Sequence, residues 1–540
     1  MNILSIHTSH DGAISIARDN ELIVHCEISR FSKFKRLPIP SYNLFKAIAS
    51  LNLVFDVVLL SYTSDNMLAV WRDFLFEKNS PIKFIQKYIK PNAEIRLSNK
   101  HHDFHAASAN SFCKDTKYLV WDGNGCAIKV DQKFTGVEQT SFYDKNLTNI
   151  KKFLYSRNPV VYRNETEDVS SLNLGIGEGY TYLTRELGLF AYDHFAEGKA
   201  MAFSSYGKIN KEYLKLILTE QNSFNKNFIS EYPDYNGELN THTIKNFNTE
   251  KSNDDAKDFA FTFQKVCEYL ARDYFKKLNI NDSVTLTGGV AQNILINTEL
   301  SKTFDFDIHV DPICNDQGIS LGHLNYYLKN KLERPVHCYL GFKPEYNLNT
   351  FDKRFTVRDT DAKEIASKLF EDPVAIFQGR SEQGQRALGN RSLLMNATNI
   401  RCLEKINTIK KREWYRPFAC TILSEYFEDY FVRDSSRSAE YMMNVFTAKD
   451  SKKEHLENVL CPQGTSRVQE LKKDKNTNYY NLIKTFFDLY KIPFVLNTSL
   501  NTPGLPIVET LDDLKEMMLE TNLKYAYLPE KQKIIIKNED

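Results

Sequence analysis

Residues 99–110 read NKHHDFHAASAN and place three of the chain's twelve histidines within five positions. His101 and His105 are four apart, so on a helix they project from one face, one turn apart. Two neutral imidazoles so placed can hold one divalent metal, while His102 points elsewhere. A polar helix start with incidental histidines is the other reading of the same residues. A metal needs more ligands. Asp122 in WDGNG and Asp316 in DPICNDQGISLGH stand beside turns, where a carboxylate can reach a cation. An ordinary turn aspartate or helix cap is written the same way. Paired histidines with carboxylates suit Fe(II), Mn(II) or Zn(II) better than Ca(II).

A second set of residues suits anions. TGGVAQN (Thr287–Asn293) stands between a strand pattern and a helix pattern, where small residues and unpaired N–H groups accommodate phosphate. It is neither a Walker loop nor GxGxxG, and a tight turn needing positive φ explains it equally well. GIGEGYTYLT and EGKAMAFSSYG are Gly-rich polar stretches of the kind that lines a ligand cleft, with Gly177 in the first and Glu197 and Lys199 in the second. Further along, GRSEQGQRALGNRS carries Arg380, Arg386 and Arg391, and IKKREWYRPFAC carries Lys410, Arg412 and Arg416. QGTSRVQ adds Thr465 and Arg467, and LNTSLNTPG adds Ser499. Guanidinium groups on glycine-rich turns suit bidentate phosphate or carboxylate binding, against the commoner reading of solvated surface charge.

These residues need elements to position them. NILSIH, AISIAR and ELIVHCEI read as three strands joined by tight turns, and FDVVLLSY and KYLVW as buried strands. Asp258–Leu278 reads as a helix, with Phe259, Phe263, Val266, Leu270, Tyr274 and Leu278 on one stripe. SVTLTGGVAQNILIN reads as strand, glycine turn, helix. A composition shift near Leu332–Asn347 marks a linker. Beyond it, a helix over Asp361–Leu369 and the strands VAIFQG and IPFVLNTS belong to a second α/β unit. Thr148–Asp168 and Glu220–Asn253 read as insertions, and Arg433–Lys475 as loop-rich. No internal repeat is visible.

The 540 residues exceed one ordinary core, so two or three domains are expected. With 42% hydrophobic and 26% charged residues the chain reads as a soluble globular protein. A formal charge of +1 gives no strong sign of a nucleic-acid partner. No apolar run of membrane-spanning length and no signal peptide occur, and nine cysteines without a CxxC pair suit reduced thiols in the cytoplasm.

Taken in order, HHDFHAASA, EGKAMAFSSYG, GGVAQNILIN, GRSEQGQRALGNRS and REWYRPFA resemble the O-carbamoyltransferase family of nodulation and antibiotic-tailoring enzymes. The resemblance runs from SHDGAISIA to LNTSLNTPGLPIVET. It implies an α/β fold: an actin-like ATPase domain of two related halves over residues 1–340, then a YrdC-like domain over 341–540. It implies that carbamoyl phosphate and ATP, with Mg(II), give carbamoyl adenylate in the C-terminal domain. The carbamoyl group then passes to a hydroxyl acceptor in the N-terminal one. By similarity, His101, His105, Asp122 and Asp316 are the metal set, with Fe(II) first among the metals. Gly288, Gly289, Asn293, Gly177, Glu197 and Lys199 lie on the nucleotide side there. Arg386, Lys410, Arg412, Arg416, Thr465, Arg467 and Ser499 serve the adenylate site. His10 and Asp11, at the first hairpin turn, face the same cleft as the metal, where one of them would orient or deprotonate the acceptor.

The sequence departs from the family pattern at two places. Cys461-Pro-Gln-Gly-Thr-Ser-Arg467 replaces His-x-Asp-Gly-Thr-x-Arg, and Gln385 replaces a proline. Two other readings compete: threonylcarbamoyl transfer to tRNA, and a nucleotide-binding protein without catalysis. The acceptor, whether a small molecule, a saccharide or a nucleotide, is not legible, nor is the oligomeric state. The basic loop Arg30–Pro40, with Arg30, Lys33, Lys35 and Arg36, reads as solvated, with a phosphorylated acceptor as the alternative.

Overall fold

The computed structural model describes all residues except 37–38, 63–68, 73–74, 76–86, 124, 126, 131–132, 156–175, 190–195, 218–246, 336 and 539–540. Most of the two expected insertions, Thr148–Asp168 and Glu220–Asn253, lies outside the described residues. Among the described residues no helix is long and apolar enough to cross a membrane.

Two mixed sheets repeat one plan. In the first, β1 (Asn2–His7), β2 (Ala13–Arg18) and β3 (Glu21–Glu27) form an antiparallel meander. β4 (Phe55–Ser61) and β5 (Ile89–Ser98) then add in parallel on the other side of β1, giving the order β3-β2-β1-β4-β5. In the second sheet, β6 (Lys117–Trp121) takes the place of β1, and β8 (Lys133–Tyr143) and β9 (Asn149–Tyr155) complete the meander. β7 (Ala127–Val130) pairs with β8 beyond the end of β6. β10 (Val284–Thr287) and β11 (Ile308–Val310) then add in parallel. This is the duplicated, actin-like arrangement. It is a repeat of topology that the sequence did not display. β1 and β6 stand in the middle of their sheets and are accordingly buried along all but their first residue.

The helix that follows each sheet packs on the other sheet. His101–Phe112 follows β5, yet its Ala106 and Ala109 pack on Tyr118, Val120 and Tyr143 of the second sheet. Ile319–Tyr327 follows β11, yet its Leu321 and Leu324 pack on Ile3, Val57 and Leu59 of the first. The two helices meet at Gly322, where a Cβ would lie 1.7 Å from the Phe104 carbonyl oxygen. Asn325 Nδ2 donates to the Ala107 carbonyl at 2.9 Å beside that crossing.

Long helices sit where the periodicity puts them, with shifted ends. The stripe helix runs Asp254–Lys277, four residues earlier than expected at its start. There the Asn253 side chain accepts from Ala256 N, with Asp254 and Asp255 in the first turn. Phe259, Phe263 and Val266 are in the core, and Leu270 and Tyr274 pack at its edge.

The third sheet draws every strand from beyond the expected linker. Its strands are β12 (Phe355–Asp359), β13 (Val374–Phe377), β14 (Arg391–Met395), β15 (Ala419–Leu423), β18 (Val468–Leu471), β19 (Phe494–Ser499), β20 (Tyr525–Leu528) and β21 (Lys533–Lys537). Their order is β12-β21-β20-β13-β14-β19-β15-β18, and β16 (Phe446–Thr447) pairs separately with β17 (Thr465–Ser466). The segment 433–475 is indeed built of short pieces, held by the buried Arg437 over the Phe446 ring.

The helix crossing generates a prediction. Gly322→Ala should destabilise the protein by about 2 kcal/mol, the usual cost of overpacking a close contact, and lower the thermal midpoint. An unchanged midpoint would show that the two helices are free to separate.

Candidate metal centre and cation pocket

The cleft between the two halves gathers four residues from three chain segments. His101 and His105 stand one turn apart at the start of their helix. Asp122 follows the end of β6, and Asp316 opens the turn before helix Ile319–Tyr327. Their four ligand atoms lie within 4.8 Å of one another, and all four residues are buried. His101 Nε2 is 2.9 Å from Asp122 Oδ2 and 3.5 Å from Asp316 Oδ1. His105 Nε2 is 3.7 and 3.3 Å from the same two atoms. His101 and Asp122 are within hydrogen-bond distance, and the other three separations are those of ligands about 2.1 Å from one shared cation.

The electrostatics demand a positive charge here. Burial opposes ionising Asp122 and Asp316, yet the surrounding histidines hold both carboxyls well below the usual range. Burial likewise opposes charging His105, and the two aspartates overcome it and push the imidazole up to about 9. A divalent cation satisfies the same two carboxylates while leaving the imidazoles neutral. The residues therefore fit a metal.

The outer oxygens of the carboxylates are also used. Asp122 Oδ1 accepts from Gly123 N at 2.8 Å and Gly289 N at 3.1 Å. Asp316 Oδ2 faces His10 Nε2 at 3.4 Å and the buried His7 Nε2 at 3.8 Å. Asp316's charge pushes His10 up to about 9. Asp11, at φ 51°, lies 3.8 Å from His10 Nδ1 and 3.7 Å from Arg36 Nε. His7 was not singled out from the sequence, although a histidine ending an apolar strand three residues before His10 was a usable signal.

The nucleotide-side residues fall around this cluster with several of their groups occupied. Gly288 has φ 88°, and a Cβ there would lie 2.4 Å from the Trp121 carbonyl oxygen, so the glycine turn rests on the end of β6. Gly289 directs its N–H at Asp122. Asn293 caps helix Ile294–Thr303 through Leu295 N and Ile296 N, and its amide donates to Gln264. Gly177 backs onto Gly123, where a Cβ would lie 2.6 Å from the Gly123 Cα. Glu197 accepts from Thr181 Oγ1 at 3.5 Å, and Lys199 pairs with Glu413 of the C-terminal segment at 2.9 Å.

The second cluster is cationic. Lys410 is buried, and its Nζ donates to the carbonyls of Ser499 and Asn501 and to Asn501 Oδ1, each at 2.6 Å. Burial and the charges of Arg412, Arg416 and Lys35 hold Lys410 well below the usual lysine range. Burial lowers Arg386 to about 10, and burial with the Arg416 charge lowers Arg412 to about 9. Arg467 is depressed by burial and then by Arg386 and Arg412. Arg412 donates to Thr498 Oγ1 at 2.7 Å, while Arg386 Nε and Arg467 Nε make no hydrogen bond. Among the described residues one carboxylate, Glu413, pairs with this group: it lies 3.2 Å from Arg416 NH1. So many cations beside a single carboxylate make a site for polyanions. Thr465 lies on β17 two residues before Arg467, and Ser499 Oγ donates to Asn501 Oδ1 at 2.6 Å.

Two expectations need correction. Of the three arginines in the Gly379–Ser392 turn, only Arg386 joins the pocket. Arg380 donates to the carbonyls of Ile23 and Gly341. Arg391 donates to those of Gln378, Asn390 and Gly379, and stacks 3.7 Å over the Phe377 ring. These carbonyls need donors once the turn is buried, and an arginine supplies several at once. Likewise Arg30 is not part of a solvated loop: it is buried against Glu509.

The two clusters are neighbours. Gly384, at φ 95°, lies so close to Pro312 that a Cβ would stand 2.3 Å from its carbonyl oxygen. Arg386, two residues on, is near enough for its charge to act on the Cys314 thiol, itself two residues before Asp316.

Residues 70–323 match the model of the carbamoyltransferase N-terminus, and residues 365–534 that of the carbamoyltransferase C-terminus. The uncharacterized protein MJ1051 of Methanocaldococcus jannaschii is 30% identical over 534 residues, covering 94% of each chain. Nodulation protein NolO of Bradyrhizobium diazoefficiens is 33% identical over 44% of this chain and 46% of its own length. The chain thus spans less than half of that nodulation protein. Among solved structures, full-length HypF in its phosphate- and nucleotide-bound form aligns over 62% of this chain and 56% of its own, with 16% identity and a TM-score of 0.33. With both halves of the family pattern present, the chain is a carbamoyltransferase and belongs to the carbamoyltransferase family.

Proposed function

We propose that the chain is an ATP-dependent carbamoyltransferase that works through carbamoyl adenylate. Residues 341–540, a YrdC-like unit, would form the intermediate, and residues 1–340 would use it. The observation that carries this reading is the adjacency of an unneutralised cation pocket and a carboxylate–histidine cluster. The first suits the phosphates of carbamoyl phosphate and ATP, and the second suits a cation beside the departing AMP.

In the first step water releases phosphate from carbamoyl phosphate. The carbamate oxygen then attacks the α-phosphorus of ATP, and pyrophosphate leaves. Several anions meet in this step, and Arg386, Arg412, Arg416 and Arg467 bind and orient them with Thr465. Lys410 holds the Ser499–Asn501 turn in place and offers its charge from beneath it. Cys461 and Gln463, where the family has His and Asp, supply no acid–base pair. Gln463 instead donates to the Ser205 carbonyl of the N-terminal domain.

In the second step the acceptor hydroxyl attacks the carbamoyl carbon and AMP departs. A divalent cation held by His101, His105, Asp122 and Asp316, with Fe(II), Mn(II) and Zn(II) all compatible, would act as a Lewis acid toward the adenylate phosphate and take up the Asp316 charge that otherwise holds a proton on His10. His10, exposed at the cleft, would accept the hydroxyl proton, and Asp11 would orient it. Gly288, Gly289, Asn293, Gly177, Glu197 and Lys199 would shape the nucleotide side, with Mg(II) accompanying ATP. A small molecule, a saccharide or a nucleotide bearing a hydroxyl would serve as acceptor.

Purified protein given ATP, carbamoyl phosphate, Mg(II) and Fe(II) or Mn(II) should release pyrophosphate and form carbamoyl adenylate, detectable by mass spectrometry. Arg386→Ala should lower that rate about 100-fold or more. Neither pyrophosphate release nor ATP binding with any divalent metal would end the carbamoyl-adenylate reading. For the metal, His105→Ala should weaken binding at least about 100-fold, since first-shell loss exceeds the cost of an outer-shell change. Elemental analysis after equilibration checks this, and wild-type metal content in the variant would exclude the cluster as the site.

A further inference from the structure

We propose that Arg30 is a positioning residue that fixes the cation pocket over the metal cleft and so keeps the intermediate from escaping between them. The proposal rests on the carbamoyl-adenylate reading above. Arg30 lies on the short helix Ser29–Ser32, immediately after β3 in the first half of the N-terminal domain, and its side chain is wholly buried. NH2 donates to the Glu382 carbonyl at 2.6 Å, and NH1 to Glu509 Oε2 at 3.3 Å. Nε lies 3.6 Å from Glu27 Oε2. Glu509 Oε1 accepts in turn from Ser381 Oγ at 2.9 Å.

A reciprocal bond runs the other way. Arg380 donates to the carbonyl of Ile23, on β3, at 2.6 Å. Glu27 N donates to Gln383 Oε1 at 3.1 Å. Residues 380–383 are therefore stitched to β3 and the turn after it by bonds in both directions. The same turn carries Arg386. Its far side is closed by Glu382 Oε1, which accepts from Leu388 N, Asn390 N and Arg391 N. Glu382 thus ties Arg30 to the geometry of the whole turn: its carbonyl is held by Arg30, and its carboxylate holds the residues that follow Arg386.

Contacts to the second half mix buried and exposed ones: Asn297 Nδ2 donates to the Met443 carbonyl at 3.0 Å, Val445 N donates to Thr298 Oγ1 at 2.9 Å, and Tyr415 and Met443 pack into its core. Lys199–Glu413 and Lys302–Asp434 are partly exposed ion pairs, and Trp414 Nε1 donates to the Thr249 carbonyl from an exposed position. Pairs of that sort contribute little and re-form readily. A buried guanidinium shared by two carboxylates and a carbonyl does not exchange so easily, because each partner would be stranded without water. The turn that carries Arg386 is thus registered on β3, the neighbour of the β1–β2 hairpin whose turn bears His10 and Asp11, while residues 415 and 443–445 pack on the second half.

Removing the cation alone would leave the deeply buried Glu509 without its counter-charge, while Glu27 still accepts from Ser29 Oγ, so the test is Arg30→Met combined with Glu509→Gln. The variant should keep its metal content and release pyrophosphate within about twofold of wild type. Carbamoyl adenylate recovered in the ultrafiltrate per pyrophosphate should rise about fivefold or more, and a single calorimetric transition should split in two, as expected when a buried network is lost. Unchanged retention of the intermediate would overturn the proposal even if the transition split, because Arg30 would then be a structural pin alone. If the double variant fails to fold, Arg380→Gln deletes the reciprocal bond without stranding a carboxylate, and the same retention measurement decides. If wild type releases no pyrophosphate, the functional reading has failed by itself. Calorimetry then judges only the pin: one transition in the variant overturns that too, and two leave Arg30 a structural pin without the retention role.

Discussion

Two aspartates, Asp122 and Asp316, are buried within reach of one pair of histidines, and both stay ionised. Like charges in a dry site repel and each loses hydration, so the arrangement persists only with positive charge among them. The rest of the N-terminal domain supplies and orders that arrangement. One aspartate and both histidines come from segments flanking the second sheet's first strand. The other aspartate comes from the loop that leads into the helix packed on the first sheet. The exchange of helices between sheets brings them together, and the glycine turn at 288–289 steadies Asp122 from outside.

The C-terminal domain presents the opposite case. Lys410 and four arginines crowd together with Glu413 as their one carboxylate partner among the described residues, at a cost that a folded protein tolerates where a ligand repays it. Overall the chain carries a formal charge of +1, which conceals a negative site and a positive site placed side by side. Neutral composition here records cancellation between neighbours rather than an absence of electrostatics.

Much of this was legible in the sequence. The HxxxH spacing pointed to one helical face, and Asp122 and Asp316 were found because they stand beside turns next to strongly patterned elements. The first meander and the stripe helix followed from periodicity. The two related halves that the resemblance implies were not visible as a sequence repeat, because pairing order and direction repeat while side chains do not: His7 ends β1 where Trp121 ends β6. Nor could sequence separate Arg386 from Arg380 and Arg391. All three lie in one glycine-rich turn, and only the fold shows which guanidinium faces carbonyls and which faces other cations. Arg30 misled for the same reason: a basic residue among lysines looks solvated until its distant carboxylate partners are placed.

The crossed helices also govern when the protein becomes complete. Ala107 receives its hydrogen bond from Asn325, 218 residues further along the chain, and His101 meets Asp316 across a similar interval. Contacts so distant in sequence close late and slowly. During synthesis the histidine helix emerges long before the sheet that buries it has gained its last strand, and its apolar flank must wait in that interval. A cation bound by these four residues would therefore enter at the end of N-terminal folding, after Asp316 has left the ribosome, and a nascent chain shorter than that holds an unfinished ligand set.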